Sequence, residues 1–183
     1  EMFTMIINEA STFAEQVLAP LNVNGDRQGC RIENGTVVTP DGFTDAWKQL
    51  GEGGWLSMSL PPEFGGQGIP ELIAVIGKET QLAANQGFTI GASLTTGAAN
   101  LIYTFGSDLQ KNEFCQNMFS GKWAGTMCLT EPHAGSAVGD VITSATRQEE
   151  GHYLIKGTKQ FITNGDHEMA DNIVHLLLAR TPN

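Results

Sequence analysis

The chain has 183 residues, 40% of them apolar, and 20 acidic against 10 basic side chains give it a formal charge of −10. That suffices for one large or two small domains with a buried core, while the acidic balance and scattered Lys and Arg argue against nucleic acid as a partner. No run approaches the roughly 18 to 20 apolar residues of a membrane span, and Cys30, Cys115 and Cys128, far apart and without a CxxC, point to a reducing, cytoplasmic setting and to no zinc site.

Phe3, Ile6, Ile7, Ala10, Phe13, Ala14, Val17 and Leu18 recur at three- and four-residue steps and predict an amphipathic helix over 3–18 that Pro20 brings to a close. The abrupt start at Glu1, without an initiator Met or a cap, leads us to expect residues ahead of it, and no export leader is visible. The Gly, Asn, Asp and Pro content of 22–41 predicts a long irregular connection. Phe43, Trp47 and Leu50 then share one face of a helix over 44–50, which Gly53 and Gly54 end by a left-handed exit. In the elbow "SLPPEFGGQGIP", the run Gly65, Gly66, Gly68 lacks the βαβ setting of a dinucleotide fingerprint. It reads as a tight turn between helices.

A helix over 71–84 mixes Leu72, Val75, Ile76 and Leu82 with charged residues. The nearly uncharged stretch 85–107, rich in small residues, predicts a buried helix closely approached on several sides. A short helix over 109–119 ends at Ser120 and Gly121, and "GKWAGTMCLTE" turns to strand character. Helices followed by strands predict an α+β chain. We expect an N-terminal all-helical domain, 1–122, and the first strands of a β-barrel or sandwich-like middle domain, 123–183.

The chemistry lies in two segments, "MCLTEPHAGSAVGD" (127–140) and "GTKQFITNG" (157–165). Each pairs short apolar runs with hydroxyls, glycines and free backbone donors, as holding a flat polar cofactor requires. Strands over 142–147 and 153–155, joined by a turn at Glu149-Glu150-Gly151, predict a hairpin that sets the segments side by side. "LTEPHAGSAVGD" followed by "GHYLIKGTKQFITNG" resembles the flavin-contacting core of the acyl-CoA dehydrogenase family. "ADNIVHLLLAR" and the Met127-Cys128 lead-in are similar to a branch of larger members that includes methylthiopropanoyl-CoA dehydrogenases. The resemblance runs over most of the chain.

The resemblance implies an FAD enzyme that oxidises an acyl-CoA thioester to the trans-2-enoyl-CoA, a carboxylate taking the α-proton while the β-hydrogen leaves as hydride to flavin N5. It places Thr130 and Thr163 at the flavin, Thr163 nearest N5, and Met127 and Leu129 against the cofactor through main chain and side chain. Phe161 matches an aromatic residue that is usually Trp. Ser136 matches a serine near the pyrophosphate and the CoA portion of the substrate, and Thr89, Ile90 and Ser93 fall toward the acyl tunnel, although small residues there equally suit tight helix packing. Where the family has GSD or GTD, this chain has Ala137; Asp140 is the nearest carboxylate that could substitute.

The family's base is a glutamate of a C-terminal helical domain, so we expect it outside this chain and name no catalytic residue here. Glu131 fits a turn-ordering role better than that of a base, and His133, His152, His167 and His175 show no ligand spacing. The resemblance further implies electron-transfer flavoprotein as acceptor and a homodimer or homotetramer. An acyl-CoA oxidase of the same fold and a non-catalytic binding module remain open as rivals, and the chain reads as a fragment.

Overall fold

The computed structural model describes residues 1–181. Met2–Phe13 (α1) runs through a π turn, Ala14–Leu18, into Ala19–Gln28 (α2). Pro20 therefore does not end the helix. A proline ring normally collides with the carbonyl four residues back, but the ladder widens to i→i+5 bonding just ahead of it, with Ala19 N–H donating to the Ala14 carbonyl, and the ring sits in the first turn of α2. The stretch after it is also more regular than expected. Arg31–Glu33 (β1) and Thr36–Val38 (β2) form an antiparallel hairpin around Asn34 (φ 53°) and Gly35 (φ 83°), the left-handed pair that a two-residue turn demands.

Phe43–Glu52 (α3) buries Ala46, Trp47 and Leu50. Of the two glycines at its end, only Gly54 is left-handed (φ 72°); Gly53 keeps helical angles. The elbow is a turn, closed by Gly66 N–H to the Pro61 carbonyl and Ile69 N–H to the Met58 carbonyl. Glu71–Ala84 (α4) and Gln86–Phe105 (α5) follow. Asn85 caps α5 by accepting from Phe88 N–H at 3.1 Å and donates to the Leu18 carbonyl at 3.2 Å, so one side chain starts α5 and fastens it to the first helix. Asp108–Gln110 (α6), opened by a Ser107/Gln110 capping box, continues through a π turn to Gln116–Phe119 (α7).

Two apolar cores meet along α5. Phe88 and Ala92 join Leu18, Trp47, Leu50 and Leu56 in one; Ala98, Ala99 and Ile102 join Cys115, Met118 and Phe119 in the other. Trp123–Cys128 (β3) lies against the same helix, with Ala124 in the first core and Trp123 and Met127 on the second. It pairs in parallel with Asn172–Leu177 (β6), from Trp123↔Asn172 to Cys128↔Leu177. Their crossover contains the antiparallel hairpin Ser144–Arg147 (β4) and Tyr153–Lys156 (β5) and a single 3-10 turn, Val138–Asp140, rather than an α-helix among the described residues, so the α+β reading holds. Gly151 (φ 85°) turns that hairpin, as the sequence predicts.

His167 is a buried titratable group at the seam between helices and strands. Its ring lies 5.9 Å from Trp47, its Nδ1 accepts from Met169 N–H, and its Nε2 has no hydrogen-bond partner among the described residues. Burial lowers its pKa, against the opposing pull of Glu168 and Asp166. Between that lowered value and the ordinary one near about 6.5, the unfolded chain binds more protons than the folded one. Stability is thus expected to fall as pH drops below about 6.5. Thermal melts from neutral to mildly acidic pH check this, with His167→Gln flattening that part of the profile.

Candidate functional site

Beyond β3, one carboxylate gathers three separate segments. Glu131, 2% exposed, accepts from Ile142 N–H at 2.8 Å, Thr143 N–H at 3.0 Å and Lys159 Nζ at 2.9 Å. Its own backbone closes a short bridge with Ala134, and Lys159 also donates to the Leu129 carbonyl at 2.9 Å. Burial alone would raise the pKa of this acid, but the two backbone donors and the ammonium outweigh it and hold it far below the ordinary carboxylate range. A carboxylate with its lone pairs so engaged is a poor proton acceptor. Glu131 is a structural anchor.

The anchor sets the two segments side by side: Gln160 N–H donates to the Thr130 carbonyl at 3.0 Å. Leu129 (38% exposed), Thr130, Phe161 (86% exposed) and Thr163 thereby come onto neighbouring strands of chain. Phe161 and Asn164 take left-handed backbone angles, φ 57° and 55°, and Gly165 N–H closes a turn onto the Ile162 carbonyl at 3.2 Å with Thr163 at its corner. Among the described residues, the hydroxyls of Thr130, Ser136 and Thr163 make no hydrogen bond within the chain. Met127 differs from the rest, because its half-buried side chain packs on the second core while its backbone pairs with β6. An exposed ring and leucine beside uncommitted hydroxyls match the chemistry of a flat cofactor with a polar edge.

Ser136 stands apart on the loop 132–140, exposed apart from the buried Ala134. No hydrogen bond reaches the Asp140 carboxylate among the described residues, so it does not replace the acid absent at Ala137. The loop is held through its main chain instead: Arg180 Nε donates to the Val141 carbonyl at 2.6 Å, its guanidinium reaches the Gly139 carbonyl, and His133 Nε2 lies 3.2 Å from the Asp140 carbonyl. Lys159 and Arg180 were missed by the sequence reading. The positions of Lys159 inside "GTKQFITNG" and of Arg180 at the end of "ADNIVHLLLAR" are the only hints of a role.

The three α5 candidates do not share a surface. Thr89 is buried, with its hydroxyl donating to the Gln81 carbonyl at 3.2 Å, and Ser93 donates to the Thr89 carbonyl at 3.0 Å. Both line a cavity of about 100 Å³ between α4 and α5, together with Trp55, Leu56, Gln81 and Thr96. Ile90, 39% exposed, is one helical step of about 100° away from Thr89. It shares an open apolar strip with Leu94 and Leu101.

The acyl-CoA dehydrogenase N-terminal domain matches residues 1–122 and the acyl-CoA dehydrogenase middle domain matches residues 126–183. A 3-methylmercaptopropionyl-CoA dehydrogenase of Ruegeria pomeroyi is 43% identical over 96% of this chain and 30% of its own length. Among solved structures, a glutaryl-CoA dehydrogenase of Mycobacterium smegmatis superposes with a TM-score of 0.83 at 27% identity, covering 99% of this chain and 43% of that one. An acyl-CoA dehydrogenase of Bacillus anthracis complexed with FAD gives a TM-score of 0.82 at 26% identity, over 98% and 28%. The chain spans 28–30% of the length of the first three relatives compared. Among the described residues, no helix is long and apolar enough to cross a membrane.

Proposed function

The chain belongs to the acyl-CoA dehydrogenase family, and from that premise we propose that it forms one wall of an FAD site in an enzyme oxidising an acyl-CoA thioester to the trans-2-enoyl-CoA. The observation that carries this is the Gln160–Thr130 hydrogen bond, which joins the two segments where an exposed apolar surface meets unspent hydroxyls. Bound FAD would supply the acceptor for the β-hydrogen and its electron pair. Thr130 and Thr163 would donate to its polar edge, Leu129, Phe161 and the backbone at Met127 would keep water off its face, and Ser136 would meet the pyrophosphate or the CoA portion. Glu131 is too well satisfied to take the α-proton, and membership of the family implies a glutamate outside this chain as the base. The same reading divides the chain at 122/123, sets it in the cytoplasm as a homodimer or homotetramer, and takes electron-transfer flavoprotein as acceptor. Thr163→Val tests the assignment: in the protein as its gene encodes it, flavin reduction is expected to slow about tenfold, the loss of one hydrogen bond worth roughly 1.4 kcal/mol. An unchanged rate removes Thr163 from the site.

The acyl chain has two possible courses on α5, and paired variants separate them. Along the open strip, Ile90→Phe shifts preference among acyl-CoA chain lengths, each lost methylene contact being worth about 0.8 kcal/mol, whereas Ser93→Leu only fills the α4/α5 cavity. We favour the strip, because the cavity, about 100 Å³, is small for an acyl chain and Thr89 ties its two walls together by donating from α5 to the Gln81 carbonyl of α4. Chain-length selectivity that changes in Ser93→Leu and not in Ile90→Phe would move the acyl group into the cavity.

A further inference from the structure

We infer that Gly91 and Asn164 form the positioning contact that sets how Thr163 is presented: the helix leaves a notch at Gly91, and the side-chain amide of Asn164 is seated in it. This deepens the flavin-contact reading of Thr163 and rests on it.

A glycine inside a helix is disfavoured relative to alanine, so Gly91, in the first two turns of α5, calls for a reason. A methyl group built there would overlap the amide nitrogen and carbon of Asn164. Gly97, also within α5, has no atom within 4 Å of the same position, so the close approach is particular to Gly91. Nor does the neighbouring strand account for Gly91. The close approach of α5 to β3 falls at Thr95 and Ala98 against Gly125, and is completed by Gly125 N–H donating to Thr95 Oγ1 at 3.0 Å.

The contact matters because of where Asn164 sits. It holds a left-handed backbone (φ 55°) in the turn from Ile162 to Gly165, and Thr163 is the other corner residue of that turn. Asn is among the few residues that tolerate this conformation. With both corner residues fixed by one short turn, a push on the amide of Asn164 is transmitted to Thr163. Among the described residues the Asn164 side chain makes no hydrogen bond, so steric seating against Gly91 is its link to the helix. Positioning errors of an ångström at a reacting group are enough to slow chemistry without disturbing substrate binding.

The test uses Gly91→Ala, Asn164→Gly and the double variant in the FAD-loaded protein as its gene encodes it, beside Thr163→Val. Gly91→Ala is expected to shift the visible absorption band of the bound flavin and to slow its reduction on the order of tenfold with KM for acyl-CoA unchanged. In the double variant a left-handed glycine removes the colliding amide, and both band and rate return to those of Asn164→Gly alone, a smaller departure from wild type than that of Gly91→Ala. Gly97→Ala, by contrast, holds or raises Tm, since helix propensity favours alanine where space is open. Should Gly91→Ala fail to fold, Asn164→Gly decides, because loss of the seat alone must move the band. A wild-type spectrum and rate in Gly91→Ala, or a double variant as slow as Gly91→Ala, overturns the inference. A silent Gly91→Ala beside a slow Thr163→Val removes the positioning contact alone; a silent Thr163→Val removes the flavin-contact reading and the inference standing on it.

Discussion

Glu131→Ala is expected to lower Tm by roughly 10 °C at neutral pH, because it strands a mostly buried ammonium and two backbone donors at once. Lys159 has a side chain only 8% exposed and would keep its charge facing the Leu129 carbonyl alone. Breaking a buried pair from one side is costlier than never having had it. Glu131→Gln should be milder, since the amide oxygen can still accept from Ile142 or Thr143. The depressed pKa gives a second signature with a definite sign. A carboxylate whose folded pKa is lowered stabilises the fold above its unfolded value, near about 4.3, and that contribution drains away as pH falls through the folded value. Wild type should therefore lose stability on acidification from about pH 4.5 downward, and Glu131→Gln should lose less over that window. Thermal melts followed by circular dichroism read both effects; a Tm within about 2 °C of wild type in Glu131→Ala would show that the three segments are held by something else.

Trp47→Ala is expected to cost about 4 kcal/mol of stability, near the upper range for deleting a large core side chain. Trp47 is 2% exposed, meets Phe88 edge-on at a centroid distance of 6.4 Å, and donates from Nε1 to the Gly121 carbonyl at 2.8 Å. That bond ties α3 to the turn just ahead of β3, so the side chain links the helical half to the strand that leads into the candidate site. Trp47→Phe keeps most of the packing and loses the bond, and should cost about 1 to 2 kcal/mol, including the carbonyl left unpaired. Urea unfolding at constant pH measures both. Equal losses in the two variants would mean that the hydrogen bond, not the packing, dominates.

How far the sequence reveals this molecule depends on the range of the interactions involved. The helices at α4 and α5 and the β4–β5 hairpin are readable because apolar spacing and the Gly151 turn are local signals. The β1–β2 hairpin is hidden by its brevity. Three-residue strands show no alternation, and Asn34-Gly35 is submerged in a stretch whose composition suggests irregular chain, although that dipeptide is the strongest local hairpin cue. Pro20 misleads because a π turn depends on how the helix packs, which no local pattern records.

The candidate site divides the same way. The two motif segments mark where the hydroxyls lie, but Lys159 and Arg180 act across 28 and 39 residues of sequence, and nothing in their neighbours announces the partner. On α5, a shift of one position rotates a side chain by about 100°. Thr89, Ile90 and Ser93 therefore look adjacent in the sequence yet divide between a cavity and an open strip.

The central claim, that Leu129, Thr130, Phe161 and Thr163 form a flavin wall facing an acyl-CoA, is tested most directly by anaerobic stopped-flow mixing. The protein as its gene encodes it, loaded with FAD, is mixed with butanoyl-CoA or octanoyl-CoA while the flavin absorbance is followed. Bleaching of the bound flavin with formation of the trans-2-enoyl-CoA is the predicted result. Protein that takes up no FAD, or bound flavin that stays oxidised with every acyl-CoA offered, would contradict the account.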